Sequence, residues 1–291
     1  MPPPPALAVD DVGDPDGAPV LYLHGTPDSR LSRHPDDGLA AAAGVRLLAV
    51  DRPGYGASPP LPVGTDAAWP DAVAAAVAAT LDDCGVAGPC GVLAWSGGAL
   101  AGVALGALLA DRVAALGIVG GLAPRQAYDD PAVRAAGAGR LGVIELADAL
   151  PPGELGEAVA PLVAPYPCDL ALAADHQAEQ RDPAGTAELA TVPGAAERLA
   201  VGLVEAVRPG LAGVAADIEA QARPLAVDLG RVACPVRLWY GEHDTVTPPA
   251  FGEWYTAHLP DATLEVVPGA AHYLALTRWA DLLRAVAPVG A

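Results

Sequence analysis

The chain lacks several features that mark whole classes of protein. It has no lysine and no asparagine, so all 16 of its basic residues are arginine. No segment offers the roughly 18 uninterrupted strongly apolar residues that a membrane-spanning helix needs. The start, Met1 followed by four prolines, lacks the basic beginning and apolar middle of a secretory signal, and proline would break the helix that such a signal forms. A cytoplasmic location is therefore expected.

Metal-binding and disulfide patterns are missing as well. The four cysteines have no CxxC spacing and no paired histidines nearby, which predicts neither a zinc cage nor a disulfide framework. A formal net charge of −19 repels phosphate backbones and anionic lipid, so nucleic acid and membrane surfaces are disfavoured as partners. The expected partner is a small-molecule substrate, and a homo-oligomer stays open.

Short apolar runs alternate with helical stretches in both halves of the 291-residue chain. Runs that predict strands lie at 6–12, 20–23, 45–50, 91–94, 113–119, 236–240 and 263–267. Stretches that predict helices lie at 39–43, 66–84, 96–111, 133–150, 170–180, 195–207, 214–222, 251–259 and 274–287. This order predicts an α/β fold with a doubly wound, mostly parallel sheet. No strand is indicated at 122–230, so we expect core segments at 1–121 and 231–291 with an inserted helical cap between them.

The motif Leu93-Ala94-Trp95-Ser96-Gly97-Gly98 connects a predicted strand to a predicted helix. A tight turn at this point forces the serine into a strained backbone conformation, so the residues two before and two after it must be small. Ala94 and Gly98 meet that demand, although the usual GxSxG pattern has glycine at the first position. Ser96 is therefore a candidate nucleophile; the alternative is that it only caps the helix.

A serine nucleophile needs a base and a carboxylate that orients the base, and candidates for both follow downstream. Asp244 lies in the loop after the strand at 236–240, and His272 lies in the loop after the strand at 263–267. Both loops leave the carboxyl edge of the predicted sheet, where sites of α/β proteins form. Glu242 or Asp261 could supply the carboxylate instead. The remaining candidates for the base, to which we assign mainly structural roles, are His34, His243 and His258.

The third requirement is a pair of backbone amides that hold the oxyanion of the tetrahedral intermediate. One candidate is the amide of Gly97 at the start of its helix, where the helix dipole assists. The other is the amide of Thr26 in the loop His24-Gly25-Thr26-Pro27, which follows the strand at 20–23. We expect His24 to support this loop, and the Thr26–Pro27 bond is a candidate cis peptide.

These motifs, together with Asp51-Arg52-Pro53-Gly54-Tyr55-Gly56, resemble those of the α/β-hydrolase fold family over about residues 6–120 and 231–291. The resemblance implies an eight-stranded, mostly parallel sheet with the triad at its carboxyl edge and no metal or organic cofactor. Branches of the family with aspartate as nucleophile are disfavoured by Ser96. The segment 51–56 is expected to be structural. Trp95 either lines a substrate pocket or packs under the sheet.

The leading hypothesis is a serine hydrolase of carboxylesterase type, acting on an ester, thioester or amide of a small to medium apolar acyl group. The same triad also supports carbon–carbon bond hydrolysis, perhydrolysis, lyase chemistry or acyl transfer in a biosynthetic pathway, and nothing in the sequence separates these. A hypothesis from another class is a receptor-like protein that keeps the fold and only binds a ligand.

Overall fold

A computed structural model describes residues 6–61 and 68–288 of the chain. Within these residues the strands are β1 Val9–Gly13, β2 Ala18–Leu23, β3 Val45–Val50, β4 Cys90–Trp95, β5 Val113–Val119, β6 Val236–Gly241 and β7 Ala262–Val267. The α-helices are α1 Gly38–Ala42, α2 Trp69–Asp83, α3 Gly98–Leu108, α4 Pro131–Ala136, α5 Leu141–Ala149, α6 Glu154–Val163, α7 Leu170–Gln180, α8 Pro183–Leu189, α9 Ala195–Val207, α10 Ala212–Ala222, α11 Pro249–His258, α12 Leu274–Thr277 and α13 Trp279–Val286. Short 3₁₀ turns occupy Arg125–Asp129, Ala138–Arg140 and Leu229–Arg231.

The strands form one twisted sheet in the order β1-β3-β2-β4-β5-β6-β7. Strand β1 runs antiparallel to β3, and every other pair in the sheet is parallel. The predicted doubly wound, mostly parallel α/β fold is thus confirmed, but the described residues hold seven strands where eight were expected. The amides of Leu7 and Ala8, just ahead of β1, donate to the Thr80 and Ser58 hydroxyls at 2.9 Å, so they are not available to a further strand.

Helices cover both faces of the sheet, because alternate residues of each strand point to opposite sides. Leu21 and Leu23 of β2 join a core with side chains of α2, α3 and α11, whereas Val20 and Tyr22 join a second core with α1, α12 and α13. All six residues of the central strand β4 are buried, as its apolar run requires in a sheet covered on both sides.

The chain between β5 and β6 contains helices and no strands among its residues, all of which the structure describes. It has its own apolar cluster, to which α6, α9 and α10 contribute. The predicted helix at 133–150 is interrupted, because Gly137 and Gly139 separate α4 from α5. Helices α6 and α8 were not predicted; prolines at 161 and 183 mask their helical composition. The exact borders of the core and cap stay a prediction.

Strand register brings the carboxyl ends of the parallel strands to one edge. Leu23 pairs with Ala94, Trp95 with Val119, and Gly241 with Val267. From β2 the chain passes to β3 on one side of β2 and then returns across β2 to β4 on its other side. This reversal of direction opens a crevice between the carboxyl ends of β2 and β4. Within the described residues, no single helix is long and apolar enough to cross a membrane. Helices α9 and α10 taken together have the length and composition of such a helix, but a bend of 96° separates them.

Candidate active site

Ser96 occupies the sharp turn between β4 and α3. Its φ of 53° is the only positive value at a non-glycine position in the described part of the chain. Such a conformation costs about 1–3 kcal/mol and persists only where surrounding structure enforces it. A side chain at position 98 would lie 2.6 Å from the Leu23 carbonyl oxygen, so glycine is required there, whereas the Ala94 methyl is accommodated opposite Gly102.

The structure brings Ser96, His272 and Asp244 into one hydrogen-bonded line. The Ser96 Oγ lies 3.2 Å from His272 Nε2, and His272 Nδ1 lies 2.8 Å from Asp244 Oδ2. In this arrangement Nδ1 donates to the carboxylate and Nε2 accepts from the serine hydroxyl, which is the tautomer that a general base requires. Asp244 is only 3% exposed, and its other oxygen accepts hydrogen bonds from the amides of Val246 and Thr247 at 2.9 and 2.8 Å.

Electrostatic effects within this line favour charge separation between the imidazole and the carboxylate. Burial acts to lower the pKa of His272, but the negative charge of Asp244 and its hydrogen bond raise that pKa above the ordinary value. Burial acts to raise the pKa of Asp244, but His272 and the hydrogen bonds from Thr247 lower it below the ordinary value. The Thr247 hydroxyl donates to Asp244 Oδ2 at 2.7 Å, a contact that no sequence motif predicts.

The alternative acids and bases lie elsewhere. Glu242 is exposed and accepts a hydrogen bond from the Gly269 amide at 2.9 Å, and Asp261 is exposed at the turn before β7. The side chain of His243 is 56% exposed, and the His258 ring stacks on Trp254 with centroids 4.1 Å apart. The remaining candidate, His34, accepts from the amide of Asp36 in a surface loop.

The backbones of Thr26 and Gly97 are neighbours across the crevice between β2 and β4. A Cβ at position 97 would lie 2.2 Å from the Thr26 hydroxyl oxygen, so only glycine lets the two loops approach this closely. Neither amide donates a hydrogen bond to another group within the described part of the chain. The Thr26–Pro27 peptide is cis. Buried His24 donates from Nδ1 to the Gly25 carbonyl at 2.8 Å, consistent with its expected role as a support for the loop.

A buried polar network connects the Thr26 loop to the helices between β5 and β6. Asp217 of α10 accepts from the Thr26 hydroxyl at 2.6 Å and from the Tyr55 hydroxyl at 2.7 Å. Arg52 forms a two-pronged ion pair with the same carboxylate at 2.7 and 2.6 Å and also donates to the Gly25 carbonyl at 2.7 Å. The motif at 51–56 was expected to be structural. Through Arg52, it also holds the loop that carries Thr26.

Two further carboxylates from the region between β5 and β6 bind the loops that carry Asp244 and His272. Glu188 of α8 accepts a hydrogen bond from the amide of Tyr273, the residue after His272, at 2.7 Å. Asp182, at the start of the same helix, accepts from the hydroxyl of Thr245, next to Asp244, at 2.6 Å. The loops that carry Thr26, Asp244 and His272 are thus each bound by a carboxylate from the region between β5 and β6.

Trp95 combines the two roles that the sequence left open. It is 2% exposed and belongs to the core beside α12 and α13, yet its ring also lines the cavity in front of Ser96. Its indole nitrogen donates to the backbone carbonyl of His272 at 3.1 Å. The tryptophan therefore positions the histidine loop as well as shaping the cavity.

A cavity of about 400 Å³ lies directly above Ser96 and His272. Cap side chains form much of its wall, some apolar (Leu162, Val163, Leu199, Leu203) and some polar (Arg140, His176, Gln177, Gln180). A larger cavity of about 690 Å³ lies at the opposite, amino-terminal edge of the sheet, far from the serine. Because no serine, threonine or cysteine is among the described residues that line this larger cavity, the cavity at Ser96 is the candidate active site.

Several residues of the site were missed by sequence reasoning. Asp28 lies in the cavity next to Pro27; its carboxylate accepts a hydrogen bond from the Ser32 hydroxyl, and burial raises the pKa of Asp28 to about 7. Asp217 and Arg140 lie in helical or turn segments with no motif around them. Only the chain's path through space places them beside the serine, so no local signal could have identified them.

No group of three or more histidine, cysteine or acidic side chains in the part of the chain described by the structure is arranged to hold a metal ion. The contacts above instead define an α/β protein with a strained serine, a histidine and a buried aspartate at the carboxyl edge of its sheet. Residues 20–285 match the alpha/beta hydrolase family, so the chain belongs to that family. The predicted enzyme class, an α/β-fold hydrolase, is confirmed at the level of the family.

Solved structures and one curated relative show similar folds or segments. An alpha/beta hydrolase fold protein from Nakamurella multipartita is 28% identical, with 96% of each chain covered and a TM-score of 0.63. A thermophilic esterase from Thermogutta terrifontis is 23% identical, covering 96% of this chain and 91% of the other with a TM-score of 0.61, which shows the fold alone. A pimeloyl-[acyl-carrier protein] methyl ester esterase from Chromobacterium violaceum is 44% identical over 70 residues. That match spans 24% of this chain and only 26% of the relative.

Proposed function

We propose that this chain is a serine hydrolase that cleaves a carboxylic ester through an acyl-enzyme intermediate. The observation that carries the proposal is the continuous line from Ser96 Oγ through the imidazole of His272 to Asp244, at 3.2 and 2.8 Å. Hydrogen bonds of this kind let the imidazole accept the serine proton as the hydroxyl attacks.

In the proposed first step, Ser96 Oγ bonds to the carbonyl carbon while its proton moves to His272 Nε2. The carbonyl oxygen becomes negatively charged and is stabilised by the amides of Thr26 and Gly97, each worth about 3–4 kcal/mol in comparable enzymes. Collapse of the intermediate breaks the carbon–oxygen bond of the ester, and His272 returns the proton to the leaving alcohol. Water, deprotonated by the same imidazole, then releases the acid and regenerates the serine.

An ester is favoured over other acyl substrates by the names of the relatives, whereas the cavity bears only on the acyl group. The wall above the serine includes four aliphatic cap side chains, which suit a small or medium acyl group. The name of the partial relative and that of the Thermogutta structure are both those of esterases. A cytoplasmic location and a homo-oligomer remain predictions from the sequence.

The experiment is labelling with a fluorophosphonate probe, followed by p-nitrophenyl esters of increasing acyl length. We expect labelling at Ser96, loss of labelling in Ser96→Ala and His272→Ala, and highest activity with short chains. The control is His243→Ala, which removes an exposed imidazole near Asp244 and should keep full activity. Tight ligand binding without any labelling would favour the receptor-like alternative. Labelling without turnover of any oxygen ester would direct attention to thioesters or carbon–carbon substrates.

A further inference from the structure

Arg140 brings a positive charge into the cavity that contains the nucleophile. It ends the 3₁₀ turn Ala138–Arg140 between α4 and α5, and its side chain lines the same cavity as Ser96 and His272. Arginine offers five N–H donors and stays charged at all physiological pH values, so its surroundings decide what it binds.

This guanidinium has no carboxylate partner among the ion pairs of the described residues. Its one hydrogen bond to an acceptor there runs from Nη2 to the side-chain carbonyl of Gln221, at 3.0 Å. Arg52, by contrast, is held in two-pronged fashion by Asp217. Burial lowers the pKa of Arg140, although the neighbouring Tyr128 hydroxyl acts to raise it. A partly buried cation of this kind is suited to an anion supplied from outside.

The position of Gln221 relates this cation to the reacting atoms. The Gln221 amide nitrogen donates to the Thr26 hydroxyl at 3.0 Å and lies against Gly97, where a Cβ would be 3.0 Å from it. The Gln221 side chain therefore lies between Arg140 and the residues Thr26 and Gly97, whose amides are proposed to bind the oxyanion. Since Arg140 and Ser96 line the same cavity, we expect the far end of an acyl group bound at Ser96 to lie toward the guanidinium.

We propose that Arg140 binds a carboxylate of the substrate, so that the ester cleaved is a monoester of a short dicarboxylic acid. This inference rests on the proposed esterase function and adds the chemical class of the acyl group. The aliphatic cap residues of the wall would contact the methylene chain between the ester and the free carboxylate.

Two sources of negative charge in the protein oppose the binding of an anionic substrate. The formal charge of −19 acts at long range, but salt screens exposed charges beyond about 8 Å at physiological ionic strength, whereas Arg140 acts at contact. Asp28 lies in the same cavity, and because burial raises its pKa to about 7, a large part of its population is neutral at that pH. The local cation therefore dominates at and below neutral pH.

The test compares two methyl esters of equal length, monomethyl succinate and methyl valerate, by the rate of methanol release. We expect kcat/KM of the native enzyme to be higher for the succinate ester than for the valerate ester. Arg140→Gln should lower kcat/KM for the succinate ester about 10- to 100-fold. In the same variant, kcat/KM for the valerate ester should change less than about threefold. Arg140→Lys should recover part of the preference, and Arg134→Gln, at an exposed arginine of α4, should leave it unchanged.

A binding measurement separates failure of this inference from failure of the esterase proposal. Calorimetric titration of Ser96→Ala with monomethyl succinate needs no turnover, and we expect binding that disappears in the variant that also carries Arg140→Gln. Binding that is lost with the arginine, together with no hydrolysis of any oxygen ester by the native enzyme, would uphold the carboxylate site and overturn the esterase proposal. Hydrolysis of both esters at equal rates, or an equal loss for both in Arg140→Gln, would overturn the assignment of Arg140.

Discussion

Replacement of Asp217 by alanine tests whether the cap fixes the loop that carries Thr26. The carboxylate is 5% exposed and accepts from Arg52, Tyr55 and the Thr26 hydroxyl. Its removal leaves a buried guanidinium and two hydroxyls without this acceptor. Breaking a buried ion pair by removing one partner costs about 3–5 kcal/mol, and we expect the free energy of unfolding to fall by that amount.

The same change should also reduce catalysis, because the Thr26 amide would no longer be held in place. Complete loss of one oxyanion donor lowers kcat by about 10²–10³, which sets the upper limit; we expect a loss of at least tenfold in kcat with a smaller change in KM. The measurements are urea unfolding followed by circular dichroism and ester hydrolysis at saturating substrate.

The matched control is Asp175→Ala at an exposed aspartate of α7, which should change the free energy of unfolding by no more than about 0.5 kcal/mol. The double variant Asp217→Asn with Arg52→Gln should cost less than the sum of its single changes, because neither charge is left alone. If Asp217→Ala unfolds within about 1 kcal/mol of the native protein and keeps its kcat, the proposed coupling of cap and loop is wrong.

Three further predictions concern the residues around the serine. Asp244→Asn should lower kcat by about 10⁴-fold, as in a serine protease. Since the carboxylate raises the pKa of His272, the acid limb of the pH profile, where the imidazole gains its proton, should also move to lower pH; an unmoved limb would contradict this. Gly97→Ala should greatly reduce fluorophosphonate labelling, because the added methyl would collide with the Thr26 hydroxyl. Labelling at the rate of the native protein would contradict this close approach of residues 26 and 97. Asp28 has a pKa of about 7 in the fold and near 3.8 unfolded, so the unfolded chain binds fewer protons between these values and stability falls as pH rises. In Asp28→Asn this fall, up to about 4 kcal/mol, should disappear from urea unfolding measured between pH 4 and 7.

The sequence by itself determined the fold class and the candidates for the catalytic line. Strands at 45–50 and 113–119 were predicted with their observed bounds, because buried parallel strands are continuous apolar runs that need no long-range information. Ser96, Asp244 and His272 stood out because each follows a strand, and parallel strands end at a common edge. The small residues around the serine were recognisable for a similar, local reason.

Tertiary structure alone decided the number of strands and the surroundings of the serine. The amides ahead of β1 bind hydroxyls of Thr80 and Ser58, distant in sequence, and such choices leave no local pattern. Asp217 and Arg140 reach the site because of how the helices between β5 and β6 pack, which depends on side-chain contacts across many residues rather than on periodicity. Local sequence specifies which groups stand at a strand end; only the packed chain specifies which charges face them.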